Sequence, residues 1–231
     1  YIEFKILQKT KLEFLDPKLL ESLINLENFP SLAHLHISFY GDSPESIPTL
    51  LQNFRAPSQL ENFGLTIKQT KKRKLGFQHD ISDLGNFCEQ FKLAKKLYKV
   101  SLFTFSSEIC ALLATIGLEI LMQNPNVSDF ELTNSTEDDY YHRGPLTLPV
   151  LKFSDWIPTL SSRGSWFKIL SINKFNLALQ GTESAFVGFS IKHLTITKTN
   201  IDFDGFGKIF PSMIENGLES LELDLDRTRL E

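Results

Sequence analysis

One six-residue pattern limits what this chain can fold into more than anything else in it. An apolar residue is followed by two unrestricted residues, a second apolar residue, one unrestricted residue and a third apolar one. The pattern occurs at Tyr1, Phe4 and Ile6; at Leu32, Leu35 and Ile37; at Leu60, Phe63 and Leu65; and at Leu97, Val100 and Leu102. It continues at Val127, Phe130 and Leu132; at Phe167, Leu170 and Ile172; at Ile191, Leu194 and Ile196; and at Leu218, Leu221 and Leu223. The copies start at residues 1, 32, 60, 97, 127, 167, 191 and 218, so successive differences are 31, 28, 37, 30, 40, 24 and 27. A recurrence at roughly thirty residues points to a repeat architecture. The last two apolar positions are two apart and share one side of a strand. One strand alone cannot bury that side, whereas parallel stacking of successive strands makes a continuous core.

Helix signals fall between the triplets. Asp16 and Pro17 read as an N-cap followed by proline at the first helical position, and Leu19, Leu20, Leu23 and Ile24 follow at helical spacing. Ile47, Leu50, Leu51 and Phe54 repeat the theme, as do Leu84, Phe87, Cys88 and Phe91. Residues 107–124 read as the longest helix, and Trp156, Ile157 and Leu160 as a shorter one. Phe206, Ile209, Phe210, Met213 and Ile214 form another, closed by Asn216 and Gly217 as a C-cap. The 24-residue interval is too short for this plan and is expected to hold a turn or a single short helical turn.

The chain resembles leucine-rich-repeat proteins of the ribonuclease-inhibitor-like, strand-plus-helix type, from Tyr1 to Leu225. The resemblance implies an α/β solenoid, a horseshoe with a parallel sheet on the concave side and helices on the convex side. It implies one domain over residues 1–231, with about eight irregular repeats. The first triplet begins at Tyr1, inside a strand-like pattern, which suggests part of a longer chain. The family usually places Asn or Cys at the ninth repeat position to bond the turn. Here Lys9, Phe175 and Thr199 stand there, and Asn176 and Asn200 sit one place later. The resemblance also implies function: such proteins use the concave sheet, and sometimes the loops, to hold another protein.

Composition is consistent with that expectation. Apolar residues make up 42% and charged residues 23% of the chain, ordinary for a folded domain. The net charge is -4, where a nucleic-acid binder would carry a basic face. Cys88 and Cys110 lie in amphipathic helical segments and are expected to be buried free thiols, which points to a reducing, intracellular setting, with the cytoplasm as the expected compartment. The most apolar stretch, residues 109–122, is interrupted by Thr115, Gly117 and Glu119 and is too short to span a bilayer.

The positions between the apolar ones define the concave surface. They place His34 and His36, then Lys99, Ser101 and Phe103, then Asp129, Glu131 and Thr133 on one face. Ser171 and Asn173, His193 and Thr195, and Glu222 and Asp224 complete it. Mixed charge of this kind suits a protein partner better than a polyanion. The His34 and His36 pair lacks the further ligands a metal site needs, so no metal is expected. Two loops are further candidates: the basic run Lys71, Lys72, Arg73 and Lys74, and the acidic and aromatic run Asp138, Asp139, Tyr140 and Tyr141. Gly205, Gly207 and Lys208 fail as a phosphate loop, because Asp202 and Ile209 occupy positions that need Gly and Ser or Thr. No Gly-x-Ser-x-Gly turn occurs, and no cofactor is expected. The expectation is therefore a non-catalytic interaction module, an architectural scaffold subunit in a multi-subunit complex. Two alternatives are a substrate receptor or small-GTPase regulator, testable at Arg143 and Arg163, and RNA contact through residues 71–74.

Overall fold

The computed structural model describes residues 2–7, 31–41, 54–69, 82–105, 107–134, 149–152, 156, 166–179, 190–201 and 203–225. Within them the protein is an α/β fold built on a mostly parallel central sheet. The strands are β1 (Ile2–Leu7), β2 (His34–Gly41), β3 (Asn62–Gln69), β4 (Lys99–Thr104), β5 (Asp129–Asn134), β6 (Val150–Lys152), β7 (Trp166–Asn173), β8 (Asn176–Ala178), β9 (Ser190–Ile201) and β10 (Ser220–Leu225). The helices are α1 (Ser82–Glu89), extended by a 3-10 turn over Gln90–Leu93, α2 (Ser107–Gln123) and α3 (Phe203–Glu215). The sheet runs β1, β2, β3, β4, β5, β7, β9, with β10 paired to β9. Each crossover among these eight strands therefore advances one place in the same direction.

The register follows the apolar positions. Leu35 stands opposite Phe63, Phe63 opposite Val100, Val100 opposite Phe130, Phe130 opposite Leu170, Leu170 opposite Leu194, and Leu194 opposite Leu221. The first triplet is the exception. Ile2 pairs with Leu35 and Phe4 with Ile37, two residues away from the alignment expected from Tyr1, Phe4 and Ile6. A two-residue slip keeps the same side chains on the same face, so an alternating Ile2-Phe4-Ile6 strand accepts either register.

A shared acceptor marks the start of the four pairings from β2 to β7. The Ala33 carbonyl takes the amide hydrogens of Glu61 and Asn62, Glu61 takes Tyr98 and Lys99, Tyr98 takes Ser128 and Asp129, and Ser128 takes Lys168 and Ile169. Before three of these strands the chain makes the same turn, with Leu60 N–H donating to Pro57, Leu97 to Ala94 and Val127 to Asn124. Asn124 reinforces the turns from within. It is buried, its amide donates to the carbonyls of Phe91 (2.9 Å) and Ala94 (2.8 Å), and its oxygen accepts from Asn126 N–H (3.0 Å).

The apolar side of the sheet carries the core. Leu65, Leu102, Leu132, Ile172 and Ile196 are buried on it. The described helices pack there too: Leu113, Ile116 and Ile120 of α2, and Phe206, Ile209 and Met213 of α3, join the same cluster. Phe54, Phe63, Phe87 and Phe91 form a ring cluster with centroids 4.8 to 6.1 Å apart, a geometry favoured by aromatic quadrupoles. Phe130 meets Trp156 edge-on at 5.5 Å. The helix expected over 107–124 is α2, and the one around Phe206 to Ile214 is α3, which starts at Phe203 ahead of both its glycines. Gly217, at φ 96, closes α3 with Leu218 N–H bonded to Met213 and Gly217 N–H to Ile214, the paired bonds of a Schellman cap. The helix signals over 16–24 and 47–51, and those at Ile157 and Leu160, lie outside the described residues.

The described part of the short interval holds an added strand, and residues 180–189 lie outside the described residues. Lys174, at φ 60, bends the chain, and the next residues form β8, which pairs with β6 and with Asn200 and Ile201 of β9. Phe175, Leu177 and Leu179 are buried at alternate positions, which is the period of a strand and not of a turn or helix. Lys198, at φ 48, makes the matching bend in β9.

Gly117 lets α2 lie close to the sheet, since a Cβ there would sit 2.7 Å from Phe130 Cζ and 3.0 Å from Leu102 Cδ1. Gly117→Ala is expected to lower the unfolding free energy by about 1–2 kcal/mol, overpacking outweighing the gain in helix propensity. Gly85→Ala in α1, where a Cβ meets nothing within 4 Å, is expected to raise it by up to about 1 kcal/mol. Urea denaturation of both variants checks the pair, and equal signs would refute this account of the packing.

Candidate functional site

Because side chains alternate along a strand, the residues between the apolar positions all project from the face opposite the described helices. The register arranges them in three rows. The first row reads His34, Asn62, Lys99, Asp129, Ile169, His193 and Ser220 across β2 to β10. The second reads His36, Gly64, Ser101, Glu131, Ser171, Thr195 and Glu222. The third reads Ser38, Thr66, Phe103, Thr133, Asn173, Thr197 and Asp224. Every candidate taken from the strands therefore lies on the side of the sheet opposite the described helices, where Ser101 is itself buried. Residues 71–74 and 138–141 lie outside the described residues.

The face has two halves with different chemistry. On β2 to β4 the histidines are held by neighbours. The Asn62 amide donates to His34 Nδ1, which fixes the proton of that ring on Nε2. His36 lies across Gly64, with Nε2 hydrogen-bonded to Thr66 Oγ1 at 2.9 Å and its ring 6.4 Å from Phe103. Glycine at 64 is what admits the ring, since a Cβ there would be 2.2 Å from His36 Nδ1. A glycine inside a strand commonly marks such a close approach. Among the described residues no three His, Cys, Asp or Glu side chains are grouped to hold a metal.

On β5 to β10 the outward positions carry Asp129, Glu131, Glu222 and Asp224 but no Lys or Arg. Small hydroxyl and amide side chains fill the space between the two acidic pairs. Thr133 is 7% exposed, and its Oγ1 is buried without a hydrogen-bond partner; so is Oδ1 of Asn173, directly opposite it. Thr195 Oγ1 approaches Glu222 Oε2 at 3.5 Å. At the edge of the face Lys192 and Glu219 form an ion pair at 2.6 Å, which holds the Glu219 carboxyl below its ordinary pKa. Nothing in the sequence pattern distinguished the unpartnered oxygens of Asn62, Thr133, Asn134 and Asn173 from the satisfied polar groups around them.

Buried polar side chains also secure the strand ends. Asn134 donates to the Lys174 carbonyl (3.3 Å), and Thr199 Oγ1 accepts from Phe175 N–H (3.4 Å) while donating to Thr197 O (2.9 Å). Thr199 thus ties the end of β9 to the start of the segment that carries β8. Among the described residues no helix is long and apolar enough to cross a membrane. No protein-family model, curated protein or solved structure matches the chain.

Both cysteines are free and buried, Cys88 in α1 and Cys110 in α2. Burial, with a smaller contribution from the Glu119 carboxylate, pushes the Cys88 thiol from 9.0 up to about 12. The unfolded chain therefore loses this proton first, and the stabilisation associated with it, complete below pH 9, is lost as pH rises towards 12. Native protein at pH 8 is expected to resist aromatic disulfide reagents that label both thiols in denaturant, and Cys88→Ala is expected to flatten the alkaline fall in stability. Rapid native labelling of Cys88 would contradict this burial.

Gly64→Ala is expected to displace the His36 ring and to cost about 1 kcal/mol through the lost Thr66 bond. The imidazole resonances of His36, followed beside a denaturation curve, report it. An unchanged ring environment would mean that Gly64 does not set the position of His36.

Proposed function

We propose that this chain is a leucine-rich-repeat-type solenoid acting as a non-catalytic protein-binding module, an architectural subunit of a larger assembly that binds through its open sheet face. The observation that carries the reading is the face itself: three in-register rows of mixed charged, hydroxyl and imidazole side chains, with the helices on the other side of the sheet. Burial of a sheet on one side by its own crossovers leaves the other side for a partner. The consecutive strand order, the recurring shared carbonyl acceptor and the polar side chains tied to the turns support the solenoid reading. Mixed polarity with few large apolar groups suits a reversible or composite protein interface more than an obligate apolar one.

A photo-crosslinking residue placed at Ser171 or Thr195 on the open face, and at Met122 on the helical side, tests it in cell extract. Discrete protein adducts are expected from the two face positions and not from Met122, and Thr195→Arg is expected to abolish the Ser171 adduct while the melting curve is unchanged. Equal crosslinking from both sides, or none from the face, would overturn the proposal.

A further inference from the structure

Strand β10 is covered on one side only. Among the described residues it pairs with β9 along one edge and with no strand along the other. Alternate residues of a strand turn their N–H and C=O groups to opposite edges, so every second residue of β10 presents both groups at the free edge. The apolar side of the sheet is incomplete at the same place. Leu223 is 37% exposed, whereas Ile196, opposite it on β9 and flanked by strands on both sides, is 2% exposed.

Helix α3, which leads into β10, repeats the feature. At about 100° per residue, Phe203 and Ile214 fall within about 20° of each other on the helix, and both are exposed. Their flank lies about a quarter-turn from the buried Phe206, Ile209 and Met213, and Gly205 on the opposite flank is buried. Single exposed apolar residues are ordinary, but an open strand edge bordered by apolar side chains is a template for another strand.

We infer that the free edge of β10 docks an extended segment of a partner protein, added as a further strand, whose side chains alternate apolar and basic. This surface is separate from the open sheet face. Pairing at the edge supplies main-chain hydrogen bonds and fixes which side chains point to each side of the sheet. On the helix side, apolar side chains of the added strand cover Leu223 beside the exposed flank of α3. On the other side they meet Glu222 and Asp224, which are exposed and, among the described residues, form no ion pair. Basic side chains complement these two carboxylates. The same charges select against a second copy joined β10 to β10. Antiparallel pairing about Leu223 would set Glu222 opposite Asp224 twice, and like charges directly opposite are destabilising. A shift of one residue would set leucine opposite carboxylate instead.

The test uses the full chain and a labelled eight-residue peptide alternating valine and lysine, read by fluorescence anisotropy and amide hydrogen exchange. Replacing lysine by glutamate in the peptide is expected to weaken binding at least about tenfold. Amides of β10 are expected to gain protection on binding, and those of β1 are not. Two further peptides, N-methylated on all valines or on all lysines, separate edge pairing from general attraction. One is expected to lose binding and the other to keep it, because a strand pairs through one edge at a time. The double variant Glu222→Lys, Asp224→Lys is expected to reverse the preference in favour of the glutamate peptide with unchanged circular dichroism. Leu223→Ser is expected to weaken binding about three- to tenfold, and Thr195→Arg, on the open face, to leave it unchanged. Like behaviour of the two methylated peptides, protection gained away from β10, or no reversal in the double variant would overturn the edge site. So would loss of binding in Thr195→Arg, which would put the peptide on the open face, and so would self-association through β10 without peptide.

Discussion

One carbonyl accepting two amide hydrogens holds each of the central strands to the one before it, at Ala33, Glu61, Tyr98 and Ser128. The rest of the molecule depends on this contact because it sets where each strand begins relative to its neighbour. A parallel ladder has evenly spaced bonds and no intrinsic mark of register, and a slip of one residue would turn every apolar side chain to the wrong face. With the start pinned, Phe63, Val100, Phe130 and Leu170 line up on one side, and the three polar rows line up on the other. Core and candidate binding face are therefore two consequences of one constraint.

The variable spacing of the triplets, from 24 to 40 residues, is taken up away from the ladder. Between β4 and β5 the crossover is the seventeen-residue helix α2, held close to the sheet at Gly117. Between β7 and β9 it includes the three-residue strand β8, entered through the left-handed bend at Lys174. Helix and strand bury apolar side chains against the same side of the sheet, through Leu113, Ile116 and Ile120 in one case and Phe175, Leu177 and Leu179 in the other. The crossovers can differ because the sheet needs only that its apolar side be covered.

Polar groups divide by their partners. Asn124 and Thr199 are buried and bonded to backbone groups of the chain, and the amide nitrogen of Asn134 is bonded to the Lys174 carbonyl. His34 and His36 are likewise engaged, by Asn62 and Thr66. Oδ1 of Asn62, Asn134 and Asn173 and Oγ1 of Thr133 are buried without a hydrogen-bond partner.

The sequence by itself determined the α/β class, the strands that carry the triplets, α2 and α3, and which side chains share the open face, because these follow from periods of two and 3.6 residues that local covalent geometry imposes. It misplaced the first pairing by two residues, since Ile2, Phe4 and Ile6 alternate in a way that satisfies both registers. In the 24-residue interval the alternation of Phe175, Leu177 and Leu179 marks the added strand β8 and its flanks, which the short length of the interval obscured. Only the tertiary structure decided which polar atoms are partnered. Thr133 and Thr199 are the same residue type one strand-end apart in role, and what separates them is the backbone that lies within hydrogen-bonding reach in space, 24 residues away for Thr199 and Phe175. Local pattern sets the direction of a side chain, whereas its partners come from segments far along the chain that only folding brings together.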